Sequence, residues 1–234
     1  MSLTAAPLLA ALATVRDPEL DEPITSLGFV AACTLAADGT AEIRLRQPTY
    51  FCAPNFAYLM VADAYDAVAA LPEVRAAVVV LEDHFAAEAI NGGVAAQSGF
   101  AQSFDGEAVG ELHELRAAFL QKAVLAGTDQ VCKDLQVAGA DPQRLAGLTL
   151  GDVPASAARD RLVRRRAELG LPAGDDALLL VDPATGDPVG AAALPLHLRR
   201  ARLTRISIEA NGSICRGMLG HRYQAPGVGE EDSP

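Results

Sequence analysis

The sequence predicts a mixed α/β chain of the two-layer α+β kind, with a small N-terminal α-β-β-α-β unit and a second small C-terminal α/β unit. Three observations carry this prediction. Apolar residues recur at helical spacing through residues 54–71, as Phe56, Leu59, Met60, Ala64, Ala67, Val68 and Leu71. Residues 40–47 alternate instead, with Ala41, Ile43 and Leu45 on one face and Glu42, Arg44 and Arg46 on the other. Between residues 29–36 and 40–47 stands Asp38-Gly39, a strong signal for a tight hairpin.

In chain order, residues 7–15 read as a short helix with Pro7 in its first turn and a stripe of Leu8, Leu9, Leu12 and Val15; Pro18 forbids its continuation. The hairpin and the 54–71 helix follow, and Pro72 ends the latter. Residues 74–81 form a third strand, whose run Val78-Val79-Val80-Leu81 predicts burial on both faces. Residues 88–93 suggest a short helix capped by Asn91 or the glycines after it. Residues 107–126 form a longer helix stopped by Gly127, and residues 131–138 begin another. Further on, residues 156–169 form a helix bearing Arg159, Arg161, Arg164, Arg165 and Arg166, read as a solvated face able to dock an acidic partner. Strands at 177–181 and 189–193 flank the turn 182–188. Residues 205–210 and 213–219 flank Asn211-Gly212, a second hairpin signal that places Cys215 in a strand. These elements divide the chain into an N-terminal domain at 1–103, connecting helices at 104–139, a C-terminal α/β unit at 140–225 and a disordered acidic tail at 226–234.

Composition narrows the function. Of 234 residues half are hydrophobic, which is ample for a core, and 17 of the 19 basic residues are Arg, a bias of GC-rich bacterial genes. The net charge of −11 is uneven: residues 1–103 carry 4 basic and 12 acidic side chains, residues 127–234 carry 13 and 14. An acidic N-terminal part argues against nucleic-acid binding and tolerates basic protein partners or cations. The N-terminus lacks the basic start of a secretory signal and no apolar run reaches membrane-spanning length, so the expected compartment is the cytoplasm. There the four cysteines, Cys33, Cys52, Cys132 and Cys215, are reduced thiols. No phosphate-binding glycine loop and no Gly-x-Ser-x-Gly elbow is present.

Cys52 stands out among the thiols. It lies in Pro48-Thr49-Tyr50-Phe51-Cys52-Ala53-Pro54-Asn55, between a strand and a helix start, where the positive end of a helix dipole suits an anionic thiol. A soft thiolate with one or two hard carboxylates makes an open, labile site for iron rather than a closed structural one. Core burial is the expectation for Cys33. Cys132, beside Lys133, is read mainly as core, with a second thiolate ligand as the alternative. His84 in Asp83-His84-Phe85 follows a strand, and Glu88, four residues on, shares its face if the segment is helical. A thiol enzyme using Cys52 as nucleophile finds no histidine near it in sequence.

Asp17-Pro18-Glu19, then Ile24-Thr25-Ser26-Leu27-Gly28-Phe29-Val30, then a hairpin and a Thr-x-x-Cys turn opening a helix resemble the metal–sulfur cluster assembly family. That family includes SufT-like and PaaD-like proteins and cytosolic iron–sulfur targeting factors. The resemblance covers residues 8–82. It implies a non-enzymatic maturation factor that holds iron or an Fe–S cluster transiently and passes it to a client metalloenzyme. Cys52 maps to the reactive cysteine, and Asp17 and Glu19 to the acidic loop. His84, Glu88 and Cys132 are the further candidate metal ligands. The family turn usually has Pro directly after Cys, whereas here Ala53 intervenes and Tyr50-Phe51 precede. That departure, with Asp83-His84 and Ile90-Asn91-Gly92-Gly93, is similar to accessory proteins of bacterial di-iron hydrocarbon monooxygenases. A homodimer is allowed; nucleic acid and membrane are not expected as partners. The alternative reading is a metal-free docking adaptor or chaperone.

Overall fold

The computed structural model describes residues 5–104 and 112–223. The expected tail at 226–234 and the expected helix start at 107 lie outside the described residues. By backbone proximity the chain forms two compact units: Met1–Asp17, Glu22–Glu111 and Gly212–Pro234 make the first, Pro18–Asp21 and Leu112–Asn211 the second.

The first unit has the expected α-β-β-α-β order. Helix α1 (Ala6–Leu12) buries Leu8 and Leu12; strands β1 (Val30–Leu35) and β2 (Thr40–Leu45) form the Asp38-Gly39 hairpin. Gly39 takes φ +86°, and the Asp38 carboxylate accepts from the Thr40 amide at 2.9 Å, closing the turn. Helix α2 (Pro54–Ala69) buries Tyr58, Met60, Val61, Ala64 and Val68, and strand β3 (Ala76–Leu81) pairs with β2 in parallel. The sheet order is therefore β1-β2-β3, with β2 central. As an edge strand, β3 buries Val79 and Leu81 but leaves Val78 46 % exposed, so burial on both faces does not occur.

Helix α3 (Ala87–Ala95) runs through Asn91 and both glycines rather than stopping at them. Asn91 acts as a substitute strand: its side-chain oxygen accepts from the Leu81 amide at 2.8 Å and its NH2 donates to the Leu81 carbonyl at 3.1 Å. Gly93 is required because a Cβ there would overlap Ser103 Oγ. A short helix α4 (Phe100–Ser103) follows. Gly28, in the motif Leu27-Gly28-Phe29, takes φ +77° and turns the chain into β1, burying Leu27 and Phe29 on either side.

The second unit is mainly helical. Helix α5 (His113–Val137) is continuous through Gly127, where a stop was expected. A Cβ at Gly127 would meet Leu162 of helix α6 (Ala157–Glu168) at ordinary contact distance, 3.5 Å and beyond, so the position is packed against α6 within the helix, and this packing outweighs the local cost of glycine in a helix. The core gathers Val124, Val131, Cys132, Leu145, Leu150, Leu162, Leu179 and Leu180. The expected strands at 177–181 and 189–193 meet their neighbours only as isolated bridges, Thr149↔Leu178 and Val181↔Pro188.

The expected hairpin at 205–219 is instead part of helix α7 (Leu194–Tyr223), which carries Cys215. A local turn signal lost to long-range partners: Arg205 binds Asp129 at 2.6 Å and Glu209 at 2.7 Å, and Asn211 donates to Glu19 at 3.1 Å. Further along, Arg216 pairs with Glu22 at 2.8 Å.

Nor is the arginine run of α6 a wholly solvated face. Arg161 and Arg164 are exposed, but Arg165 and Arg166 are buried. Arg165 binds Asp21 at 2.6 Å. Arg166, fully buried, donates to the carbonyls of Pro172, Leu178 and Leu179, gathering the irregular 172–179 segment onto α6. Burial lowers its pKa to about 10, so it remains charged at neutral pH. Replacing it with Met keeps the apolar stem but strands these carbonyls. Arg166→Met is expected to destabilise the protein by about 2–4 kcal/mol in urea unfolding, and Arg166→Lys to recover only part of that loss.

Candidate functional site around Cys52

Parallel pairing of β2 and β3 decides where the site lies. Leu45 and Leu81 are register partners at the ends of the two strands, so both chains leave the sheet at the same edge. Ligand sites in α/β units form at such carboxyl edges. The segment after β2 leads through Gln47 and Thr49 to Cys52, and the segment after β3 leads to Asp83, His84 and Phe85. The two cross and bond: the Phe85 amide donates to the Tyr50 carbonyl at 3.1 Å.

His84 fastens the crossing. It is 4 % exposed. Its Nδ1 accepts from the Ala86 amide at 3.1 Å, which puts the ring proton on Nε2, and Nε2 donates to the Cys52 carbonyl at 2.7 Å. Burial, the largest cause, holds its pKa below the usual histidine value of 6.5. Both ring nitrogens are engaged with backbone, so His84 serves as a clamp on the cysteine turn rather than as a ligand in this conformation.

Cys52 itself is half-buried and precedes Ala53, the residue that opens α2. Thr49 Oγ1 lies 3.3 Å from its Sγ, and the same Oγ1 accepts from the Phe51 amide at 3.3 Å. Around the thiol stand three exposed aromatics: Tyr50, 45 % exposed, Phe51, 77 %, and Phe85, 49 %. Their rings contact one another at centroid distances of 5.0, 5.9 and 6.4 Å. Arg222 of α7 closes the rear of the edge, donating to the carbonyls of Gln47 at 3.2 Å and Asp83 at 2.6 Å. Asp83 adopts φ +56°, which turns the chain toward His84.

The other candidates are dispersed. Asp17 is buried in the first unit, where its amide bonds the Glu22 carbonyl at 3.0 Å and closes the loop over Pro18–Asp21. Glu19 belongs to the second unit and accepts from Asn211. Glu88 is exposed in the first turn of α3; His84 lies before that helix, so the two do not share a helical face. Cys132 sits in the core of the second unit, where burial, with Asp129 adding to it, pushes its thiol up to about 12. A thiol so protonated does not compete for metal at neutral pH. Cys33, expected in the core, is half-buried on β1, and burial raises its pKa. Among the described residues no group of three or more His, Cys, Asp or Glu side chains is arranged to hold a metal ion. The edge offers one soft donor, Cys52, and not a closed ligand set.

Residues 6–80, from the start of α1 to the penultimate residue of β3, match the family model described as iron-sulfur cluster assembly protein. The likeness to that family covers this segment, about a third of the chain. The match contains Cys52 and the Asp17-Pro18-Glu19 loop and ends four residues before His84, so the clamp is an addition from beyond the matched segment. No curated protein and no solved structure matches the chain. No helix among the described residues is long and apolar enough to cross a membrane.

Two features of the edge were not read from sequence: His84 as a backbone clamp, and Arg222. His84 was visible as a residue but needed the parallel pairing of β2 and β3 to be brought to the Cys52 turn, whereas Thr49 stands three residues before Cys52 in the Thr-x-x-Cys turn. Arg222 was hidden by the hairpin expected at 205–219.

The histidine has a pH signature. Its folded pKa is depressed, so its contribution to stability is complete above 6.5 and is lost as pH falls through the folded value, because the unfolded chain takes up the proton first. His197 of the second unit is depressed too, chiefly by burial, and adds its own loss in the same direction. Thermal melts from pH 7.5 to 5 are expected to show falling stability in the wild type and a shallower fall in His84→Gln, with the His197 share remaining. At pH 7.5, His84→Ala is expected to cost about 2–4 kcal/mol, since two buried backbone groups lose their partners.

Proposed function

We propose that the protein is an accessory factor in the maturation of iron-dependent enzymes, taking up iron or an Fe–S cluster as cargo through Cys52 and passing it to a client metalloenzyme. The observation that carries this reading is the position of Cys52 within a family-matched iron–sulfur assembly segment, half-buried at the strand edge on a turn held by His84. A single soft donor without a closed shell holds cargo loosely, and looseness is what delivery requires. The remaining coordination would come from the client, a small thiol or a second copy of the chain. The Ala53 insertion and the aromatic residues around Cys52 support a dedicated client, and a bacterial di-iron monooxygenase is the candidate that the sequence resemblance favours.

The test is anaerobic co-expression with a client. Cys52→Ala should leave the fold and melting temperature unchanged and abolish client metallation, and the sub-stoichiometric iron retained by the wild type should be lost in Cys52→Ser. Normal client metallation by Cys52→Ala would refute the reading.

A second reading, a metal-free docking adaptor, is favoured by one observation: Tyr50, Phe51 and Phe85 form a contiguous exposed aromatic surface beside the thiol. The acidic balance of residues 1–103 suits a client that sets an apolar residue within a basic rim. Phe51→Asp separates the readings. In an adaptor it releases the client from a pull-down and Cys52→Ala does not; in a carrier Cys52→Ala alone stops metallation.

A further inference from the structure

The second unit holds a cleft of about 480 Å³ between α5 and the first half of α7, lined by Asp129, Cys132, Lys133, Gln136, Leu198, Arg199, Arg202 and Arg205. Its charge is the reverse of the chain's. The chain carries −11 overall, yet four cations and one carboxylate line this cleft. That carboxylate is already spent: Asp129 accepts from Arg205 Nε at 2.6 Å.

Arg205 is held from both sides, since its Nη1 donates to both Glu209 oxygens at 2.7 and 2.9 Å. Its Nη2 takes part in neither bond. Arg199 and Arg202 lie three residues apart on one face of α7, and Lys133 faces them from α5; all three are exposed, and among the described residues none of them makes an ion pair or hydrogen bond. Holding like charges together in a concave site is unfavourable unless an anion completes it.

Size and donor chemistry select the anion. A volume of 480 Å³ is that of a small-molecule site, not of a single ion. Planar guanidinium forks bind phosphate oxygens in pairs, and the ammonium of Lys133 adds a point charge. A lone carboxylate would satisfy one fork and leave the others unpaired. We infer that the cleft between α5 and α7 binds a molecule bearing a di- or triphosphate group, with Lys133, Arg199 and Arg202 as its ligands and Arg205 as a prepositioned fork. Gln136 offers an amide for a neighbouring polar group, and Leu198 an apolar contact. Free oligophosphate and a nucleoside di- or triphosphate share this chemistry.

Isothermal titration of the full chain with tripolyphosphate, pyrophosphate, ADP and adenosine, in low salt without divalent cations, tests the site. Saturable binding of tripolyphosphate and ADP but not adenosine is expected, weakening as salt is raised. Tighter binding of ADP than of pyrophosphate identifies a nucleotide as the source, and equal binding identifies the phosphate chain alone; both support the site. Arg199→Gln/Arg202→Gln should weaken binding roughly tenfold or more, the scale of losing charge-assisted hydrogen bonds, with no loss of melting temperature. Lys133→Gln, on the facing helix, should weaken it independently, and Arg161→Gln on α6 should not. Absence of saturable binding, or equal binding by wild type and both cleft variants, overturns the inference.

Discussion

One histidine holds the functional edge together. His84 spends both ring nitrogens on backbone, one accepting from Ala86 and one donating to Cys52, so a single neutral tautomer ties the turn after β2 to the segment after β3. Without that tie the edge keeps the Tyr50–Phe85 backbone bond, the Thr49 contacts and the Arg222 bonds to Gln47 and Asp83, and the Cys52 carbonyl loses its histidine donor. The arrangement depends in turn on the parallel pairing of β2 and β3, which brings residues 32 positions apart to one edge, and on Asn91, which keeps the outer strand paired at Leu81. A fixed backbone with an open side chain is what a thiol needs in order to meet a partner reproducibly while holding cargo weakly.

The second unit is organised by a different device. Arg166 does with a guanidinium what a strand would do with its ladder: it collects the carbonyls of an extended segment that finds only isolated bridges. Its burial is costly for a charge, and its three acceptors offset that cost. The two units thus rest on buried cationic or neutral donors aimed at backbone oxygen, and leave distinct chemistries at the surface: a half-buried thiol with exposed aromatics in the first, exposed cations in the second.

The first unit was largely legible in the sequence because its signals are local and agree with one another. The Asp38-Gly39 turn, the alternation in β2 and Pro54 at the start of α2 each select the conformation that the whole unit requires. The burial of β3 was overread because Val78-Val79-Val80 looks the same in a central and an edge strand; only the sheet order distinguishes them. In the second unit the signals conflict. Asn211-Gly212 between β-branched residues favours a hairpin, but Asp129, 76 residues from Arg205, and Glu19, 192 residues from Asn211, reward a helix. Gly127 and Asn91 misled in the same way, as stops that packing turned into contacts. At the site, the thiol and the histidine were read as a pair, but as co-ligands; that His84 turns its ring to the Cys52 carbonyl, and not to the sulfur, is a matter of three-dimensional direction that no spacing encodes.

The account stands on the tautomer and charge of His84, and these are directly measurable. In ¹⁵N-resolved NMR of the imidazole across a pH titration, the account predicts a proton on Nε2, a free-base Nδ1, and titration below the ordinary value of 6.5. A proton on Nδ1 in the neutral ring would contradict it, because that tautomer cannot accept from Ala86 while donating to Cys52; titration at or above 6.5 would contradict the burial that holds the ring neutral.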